Sequence, residues 1–206
     1  STGISLYKTE SCMIINCKIK DNQGESAGGI FLYSDSGTEI KNTLIRNNTA
    51  TGGQWYYGAG GILYRYSNSM NIENSIIHNN TGSTAGGIYL QGVQGGIISN
   101  CVISENNGGY GGGLYTLTNT SPDITKTSFV RNISNTNGGA MHLSTRANID
   151  IANCTLYGNI AYGTGNGIYT DTRYENEVAP EANIIESNIS GGGYGLYNDE
   201  AASVLV

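Results

Sequence analysis

Two aspartates 28 residues apart, Asp171 and Asp199, are the acidic side chains whose spacing best suits chemistry. Each stands three residues after the apolar residue that opens a short segment. Stacked carboxylates of this kind raise one another's pKa or hold Ca²⁺. The two histidines, His78 and His142, fall in different predicted strands, so we expect a surface or packing role for them rather than a metal site. The sequence therefore favours a protein without a metal, cofactor or catalytic centre, with cleavage of polysaccharides by the two aspartates as the alternative.

Aromatic residues form a second group of candidates, suited to binding rather than to reaction. Tyr89, Tyr115, Tyr169 and Tyr197 each follow the first apolar residue after a glycine, and alternation along a strand predicts that they point outward. The complete column consists of Ser5, Phe31, Leu63, Tyr89, Tyr115, Met141, Tyr169 and Tyr197. Exposed aromatic rows bind sugars or protein partners. The alternative is that tyrosine suits a pleated surface and stacks on its neighbours.

An insertion adds three more aromatic candidates. The turn before Gly60 is longer than the corresponding turn of the first repeat, and it contains Trp55, Tyr56 and Tyr57. Loops on a rigid scaffold are where binding usually resides. We therefore add these three residues to the predicted ligand-binding set, while an insertion that is merely tolerated at a corner remains the alternative.

All of these candidates are positioned by a repeat that runs along the whole chain. The second glycine of each motif stands at 3, 29, 61, 87, 113, 139, 167 and 195, so the repeats are 26–32 residues long. The residue after that glycine is Ile4, Ile30, Ile62, Ile88, Leu114, Ala140, Ile168 and Leu196. A fixed period of this length is typical of a solenoid.

Three apolar columns in each repeat predict three short strands. The second column runs from Ile14 to Ile184 and the third from Ile19 to Ile189, in segments that are rich in β-branched residues and bounded by Gly and Asn. One repeat cannot bury its own apolar face, whereas stacked repeats can. The sequence therefore predicts an all-β fold, a right-handed parallel β-helix of about seven three-stranded coils, with residues 1–206 in a single domain.

Polar residues recur in register as well. One predicted ladder, at the end of the third strand, consists of Asn22, Asn48, Asn80, Asn106, Asn132 and Asn159. A second asparagine column, placed at the bend between the second and third strands, consists of Asn16, Asn42, Asn74, Asn100 and Asn153. Asparagine tolerates left-handed backbone and hydrogen-bonds between stacked coils. For the first glycine of each pair we predict a positive φ at a sharp turn.

Cysteines occupy an interior column of small residues. Cys17, Cys101 and Cys154 share one repeat position, two or three coils apart, which at about 4.8 Å per coil exceeds the reach of about 7 Å between Cα atoms of a disulfide. We therefore predict that no two of these three pair with each other.

Composition excludes two classes of partner. The chain has 206 residues, a net charge of −6 and 13% charged residues, so the basic surface that nucleic acids require is missing. No apolar run reaches the ~18 residues of a membrane span. Few lysines and many Asn, Ser, Thr, Gly and Tyr residues are typical of extracellular or cell-surface proteins.

The combination of Ile or Phe three places before Asn with a later Gly-Gly pair followed by Ala or Ile resembles the repeat of polymorphic outer-membrane proteins and related adhesin-like surface proteins. The best matches are Phe129–Asn132 and Gly138–Met141. This resemblance implies a non-enzymatic structural or adhesive protein, with glycans or host and matrix proteins as partners. Because the chain starts and stops inside a repeat, we also expect copies stacked end to end as a fibre, or the remaining coils of a longer chain. Carbohydrate binding or degradation by the aromatic face is the alternative function.

Overall fold

The computed structural model describes residues 1–52, 58–172, 177–190, 193, 195–198 and 203–205, the last three by their backbone alone. All regular elements in these ranges are β-strands. Among them there is no helix long and apolar enough to cross a membrane. The strands recur coil by coil, as the periodicity of the sequence predicts.

Each of the first four coils contains four strands. Coil one contains β1 (Ile4–Tyr7), β2 (Met13–Ile15), β3 (Lys18–Lys20) and β4 (Gln23–Gly24). Coil two contains β5 (Ile30–Tyr33), β6 (Thr38–Lys41), β7 (Leu44–Arg46) and β8 (Thr49–Ala50). Coil three contains β9 (Ile62–Ser67), β10 (Met70–Glu73), β11 (Ile76–His78) and β12 (Thr81–Gly82). Coil four contains β13 (Ile88–Val93), β14 (Ile97–Ser99), β15 (Val102–Ser104) and β16 (Asn107–Gly108).

The remaining coils continue the same order. Coil five contains β17 (Leu114–Leu117), β18 (Asp123–Thr125), β19 (Ser128–Val130) and β20 (Ile133–Ser134). Coil six contains β21 (Met141–Ser144), β22 (Asn148–Ala152), β23 (Thr155–Tyr157) and β24 (Ile160–Ala161). Coil seven contains β25 (Ile168–Asp171), β26 (Glu181–Ile185) and β27 (Asn188–Ser190), and the start of coil eight contains β28 (Leu196–Asn198) and β29 (Ser203–Leu205).

Equivalent strands of successive coils pair in parallel and form four sheets. The first and second sheets have eight strands each, the third has seven and the fourth has six. The predicted parallel β-helix is confirmed. The prediction of three strands per coil is incomplete, because a fourth strand of two residues follows the third in coils one to six. Its inward residues are small: Gly82 is followed by Gly108 in the next coil, and a Cβ on either would lie within 2.3 Å of a carbonyl oxygen. Columns of such small residues carry no hydrophobic periodicity, which is why the fourth strand does not appear in the apolar pattern.

The interior consists of the predicted apolar columns. The isoleucines of the second column pair in register from Ile14 to Ile184 and are buried, and the third column from Ile19 to Leu156 is buried too. One position of the first column is wrong: Met141, not Ala140, pairs with Leu114 and faces the core. The first strand of the sixth coil is therefore shifted by one residue relative to the Gly138-Gly139 motif. Burial of the larger Met141 side chain decides how this strand pairs with the strand of coil five.

Close approach of backbones, rather than positive φ, explains the glycine pairs of coils two to five. Their first glycines are not in the left-handed region, so the prediction is wrong for these four pairs, whereas Gly138, the first glycine of the coil-six pair, has the predicted positive φ (70°). A Cβ on Gly86 would lie 2.4 Å from the nitrogen of Asn107, and a Cβ on Gly87 would lie 2.5 Å from the carbonyl oxygen of Gly113. Real Cβ atoms do not approach other atoms so closely, so only glycine allows successive coils to stack here.

The interior cysteine column is free of disulfides, as predicted. All four cysteines are free thiols, and Cys101 and Cys154 are buried. The small side chains of this column join the coils instead, because the N–H of Cys101 donates to the hydroxyl of Thr127 at 3.3 Å and the N–H of Cys154 donates to the hydroxyl of Ser187 at 3.1 Å. Burial raises the pKa of the Cys101 thiol to about 11 and raises that of Cys154 as well.

Candidate functional site

The predicted asparagine ladder is present and lies inside the helix. Asn80 illustrates one rung, because both its backbone N–H (2.9 Å) and its side-chain Nδ2 (3.0 Å) donate to Oδ1 of Asn106. The same pair of bonds joins every neighbouring pair from Asn22 to Asn132, and Asn132 donates in this way to Asn159. Asn48, Asn80, Asn106 and Asn132 are fully buried. The ladder is therefore structural, and its side chains from Asn48 to Asn159 are inaccessible to a ligand.

The second asparagine column lies at the bend between the second and third strands, as predicted. Asn16, Asn42, Asn74, Asn100 and Asn153 all have φ between 50° and 57°. Lys126 (φ 49°) and Glu186 (φ 46°) take the same conformation in the other two coils. All seven side chains are exposed. Asparagine serves here because it adopts left-handed backbone at low cost.

The aromatic column on the first sheet is covered rather than exposed. Tyr89 and Tyr115 are 0% and 1% exposed, so the prediction that they form an open binding row is wrong. They belong to a second apolar cluster, outside the helix core, whose members are Ala27, Ala59, Leu63, Ala85, Tyr89, Tyr115 and Leu117, with Phe31 partly buried against it. The three alanines lie in the turns that lead into the first strands and bridge one another in parallel. These turns fold over the outer face of the sheet.

The column continues as a ring stack towards the C-terminal coils. His142 occupies the place predicted for Met141, and its ring contacts Tyr115 (5.0 Å between centroids) and Tyr169 (4.7 Å) edge to face. Tyr169 stacks on Tyr197 at 5.3 Å, and only Tyr197, at 37%, is substantially exposed. Stacking between neighbours, the alternative interpretation of this column, is confirmed, and ligand binding by these tyrosines stays a prediction.

The acidic candidate Asp171 faces a histidine. Its Oδ1 lies 3.1 Å from Nε2 of His142, which is buried, so the two form a pair at the end of the first sheet. Asp199 and the loop residues Trp55, Tyr56 and Tyr57 lie outside the described residues. Within the described part of the chain, no three His, Cys, Asp or Glu side chains come together as metal ligands. Calcium binding by Asp171 therefore gains no support from its surroundings.

An open groove over coils one to three is the candidate binding site, which we name the tyrosine groove. Its volume is about 630 Å³, a size common among sites for small ligands, which span ~300–1,000 Å³. The residues that line it are Tyr7, Glu25, Ser26, Phe31, Tyr33, Arg65 and Tyr66. Four aromatic rings, one cation, one carboxylate and one serine hydroxyl thus converge on one surface, among the described residues.

The aromatic rings of the tyrosine groove contact one another. Tyr7 and Tyr33 are stacked with centroids 4.9 Å apart and planes within 4°, and Tyr66 meets Tyr33 edge to face at 5.5 Å. Phe31 tilts against Tyr33 at 6.3 Å. Tyr7 and Tyr66 remain 59% and 47% exposed. The groove therefore offers a preformed and accessible aromatic surface.

Sheet register and a glycine place these side chains. Tyr7, Tyr33 and Arg65 pair with one another across β1, β5 and β9, so their side chains leave the same face of the first sheet. Tyr66 follows in the left-handed region (φ 56°). Its ring lies over Gly92 of the next coil, where a Cβ would be 3.0 Å from Cδ1 of the ring. Absence of a side chain at Gly92 leaves this space for the tyrosine.

Sequence reasoning missed this site although a signal was available. Tyr7 and Tyr33 are 26 residues apart, one repeat, and Arg65 stands at the same repeat position in the third coil. That position lies two residues beyond the aromatic column that was singled out. Both columns lie on the same face of the first sheet. The turns cover the column of Tyr89 and Tyr115, and they do not cover the column of Tyr7, Tyr33 and Arg65.

Comparison with known proteins supports the fold. A family model described as a right-handed beta helix region matches residues 2–180. No curated protein and no solved structure shows significant similarity to the chain. The more specific resemblance to polymorphic outer-membrane proteins stays a prediction. The match covers most of the coils described above, and the chain belongs to the right-handed β-helix family.

Proposed function

We propose that this protein is a non-enzymatic binding protein that recognises a glycan in the tyrosine groove. The observation that carries the proposal is the clustering of four aromatic residues around an open groove over coils one to three of the first sheet: Tyr7, Phe31, Tyr33 and Tyr66. Recognition sites for small ligands combine apolar and aromatic walls with a few polar groups that fix orientation.

The chemistry of the groove suits a sugar ring. Pyranose rings present C–H groups on their faces and hydroxyls at their edges, so they need apolar contact and hydrogen bonds together. The exposed rings of Tyr7 and Tyr66 supply the apolar contact. Hydrogen bonds come from their phenolic hydroxyls, the Glu25 carboxylate and the Ser26 hydroxyl.

Rigidity adds to the expected affinity. Tyr7 and Tyr33 belong to paired strands and stack on each other, so binding orders little that is not already ordered. Preorganised side chains reduce the entropy cost of association, ~0.5–1.5 kcal/mol for each side chain that would otherwise be immobilised. A shallow groove of this kind therefore binds without closing over its ligand.

Cleavage of the bound glycan would require further acidic groups. Glycosidases use a pair of carboxylates that flank the scissile bond. Glu25 is the one carboxylate among the described residues that line the groove. We therefore expect the glycan to be released intact, and chromatography of the glycan after prolonged incubation tests this directly.

An adhesive role and an extracellular or cell-surface location belong to the same proposal. End-to-end stacking of copies remains part of it as well. Its support is that all four sheets and the asparagine ladder add one unit with each coil, so a coil from another chain would extend the same hydrogen-bond pattern.

The test is a glycan array followed by calorimetric titration of the best ligand. We expect Tyr7→Ala and Tyr66→Ala each to weaken binding at least tenfold, because each removes an exposed ring of the groove. Tyr162→Ala is the matched control, since Tyr162 is 74% exposed and does not line the groove. Absence of any glycan ligand, or equal effects of the three substitutions, would contradict the proposal.

A further inference from the structure

We infer that the tyrosine groove selects glycans that carry negative charge, as a carboxylate or a sulfate ester. This inference rests on the proposed glycan-binding function and specifies the class of ligand. Its starting point is Arg65, the one cationic residue among the described residues that line the groove.

Arg65 is held in place by aromatic contacts rather than by an acid. Its guanidinium carbon lies 5.2 Å from the centroid of the Tyr66 ring, and Nη2 is 3.4 Å from the hydroxyl of Tyr66. Its Nε is buried and has no hydrogen-bond partner. The ion pairs among the described residues do not include Arg65. A partly buried guanidinium is thus oriented in the groove without an ion pair to any described residue.

The chemistry of arginine indicates what is missing. The guanidinium is planar, permanently charged and able to donate two parallel hydrogen bonds, a geometry that matches a carboxylate or another oxyanion. The contact with Tyr66 fixes one face of the group. A charged oxygen pair bound at the terminal Nη1 and Nη2 groups would supply the counterion that the guanidinium lacks.

Lys8 extends the positive potential along the groove. This exposed lysine lies at the Tyr7 end, with Nζ 5.4 Å from the centroid of the Tyr7 ring. Arg65 and Lys8 therefore lie on two different rings of the same aromatic cluster. Glu25 is the opposing charge in the groove, and as an acceptor it suits the hydroxyls of a sugar rather than its acidic group.

The distribution of charge along the chain also favours an anionic ligand at this groove. Residues 1–65 contain six of the ten basic residues and five of the sixteen acidic residues, a net charge of +1. Residues 66–206 contain the other four basic and eleven acidic residues, a net charge of −7. An anionic ligand is therefore repelled by most of the chain and accepted at the coils that form the groove.

The experiment compares three oligosaccharides of equal length: a hexuronate, the neutral hexose with the same linkage, and that hexose carrying sulfate esters. We expect at least one charged ligand to bind ten times more tightly than the neutral one, and the preference to shrink as NaCl rises from 50 to 300 mM. The hexuronate and the sulfated sugar distinguish the two sources of charge, and preference for either supports the inference.

Arg65→Gln is expected to abolish the preference for the charged sugars, and a melting temperature close to that of the parent protein shows that the variant is folded. Arg65→Lys keeps the charge without the planar fork and should retain part of the preference. Arg46→Gln is the control, because Arg46 is exposed on the third sheet and outside the groove.

Equal binding of all three sugars, or a preference that survives in Arg65→Gln, would overturn the inference and leave glycan binding intact. If none of the three binds and the array is negative too, the proposed function itself fails.

Discussion

Replacing Asn106 by leucine tests whether the buried ladder stabilises the stack. Its Oδ1 accepts the backbone N–H of Asn80 at 2.9 Å and Nδ2 of Asn80 at 3.0 Å, and Asn80 is fully buried. Leucine accepts neither, so two buried N–H groups lose a partner at about 1–3 kcal/mol each. Because leucine gains some apolar burial in return, we expect a net loss of about 2–4 kcal/mol in the free energy of unfolding.

Chemical and thermal denaturation measure this loss. For a chain of this size each kcal/mol lowers the melting temperature by about 2–4 °C. Lys126→Asn is the control, since Lys126 is exposed, has φ 49° and gains the residue type that suits this backbone. We expect its effect to stay within about 0.5 kcal/mol. Equal effects of the two substitutions would refute the reasoning.

The direction of the ladder provides a second comparison. Asn22 donates to Oδ1 of Asn48 through its backbone N–H (3.1 Å) and its Nδ2 (3.0 Å), and no described residue donates to the side-chain oxygen of Asn22. Asn22→Leu therefore deprives no N–H group of an acceptor. Oδ1 of Asn48 still accepts the backbone N–H of residue 22 and loses only the bond from the side chain. The expected loss is about 1 kcal/mol or less, the value of one ordinary hydrogen bond. A loss as large as that of Asn106→Leu would show that the asparagines stabilise by packing alone.

Two further predictions concern the core and the cysteines. Tyr64→Phe removes the hydroxyl that donates to the buried Asp35 at 2.7 Å and should cost about 1.5–3 kcal/mol by urea denaturation at pH 8. Burial and the bond to Asp35 raise the pKa of Tyr64 above the value of about 10 in the unfolded chain, so this contribution is complete below pH 10 and decreases above it. The difference between parent and variant should therefore shrink at pH 10.5, and an unchanged difference would contradict the raised pKa. Alkylation at pH 8 should modify the half-buried Cys12 and Cys17 well before Cys101, whose thiol has a pKa of about 11, and modification of Cys101 first in mass mapping would contradict its burial.

The fold could be predicted because its main signals are columns of large apolar residues. Ile40, Ile72 and Ile98 pair in register as their spacing indicates, since a one-residue shift would turn the whole strand inside out. The same rule explains the error at Ala140. Motif spacing placed alanine at the first inward position, but Met141 buries more apolar surface, and burial rather than the glycine motif sets the pairing.

The environment of outward side chains could not be predicted in the same way. Alternation along a strand gives the face on which Tyr89 lies, but it does not show what packs against that face. In the fold, Ala59 and Ala85 bring the preceding turns over the sheet, because alanine is small enough to let the backbone approach. Long-range packing of turns on strands is thus the step that periodicity leaves out.

The tyrosine groove lies where this cover ends. Two residues farther along the strand, Tyr33 and Arg65 leave the same face beyond the alanine turns and remain partly exposed to solvent. Tyr66 then turns outward in a left-handed conformation over the space at Gly92. In the next coil Gln91 takes the place of Arg65, so the aromatic and cationic groups are confined to three coils. A repeating scaffold thus carries one local, non-repeating surface, and substitutions that spare the ladder and the apolar columns can alter that surface without disturbing the fold.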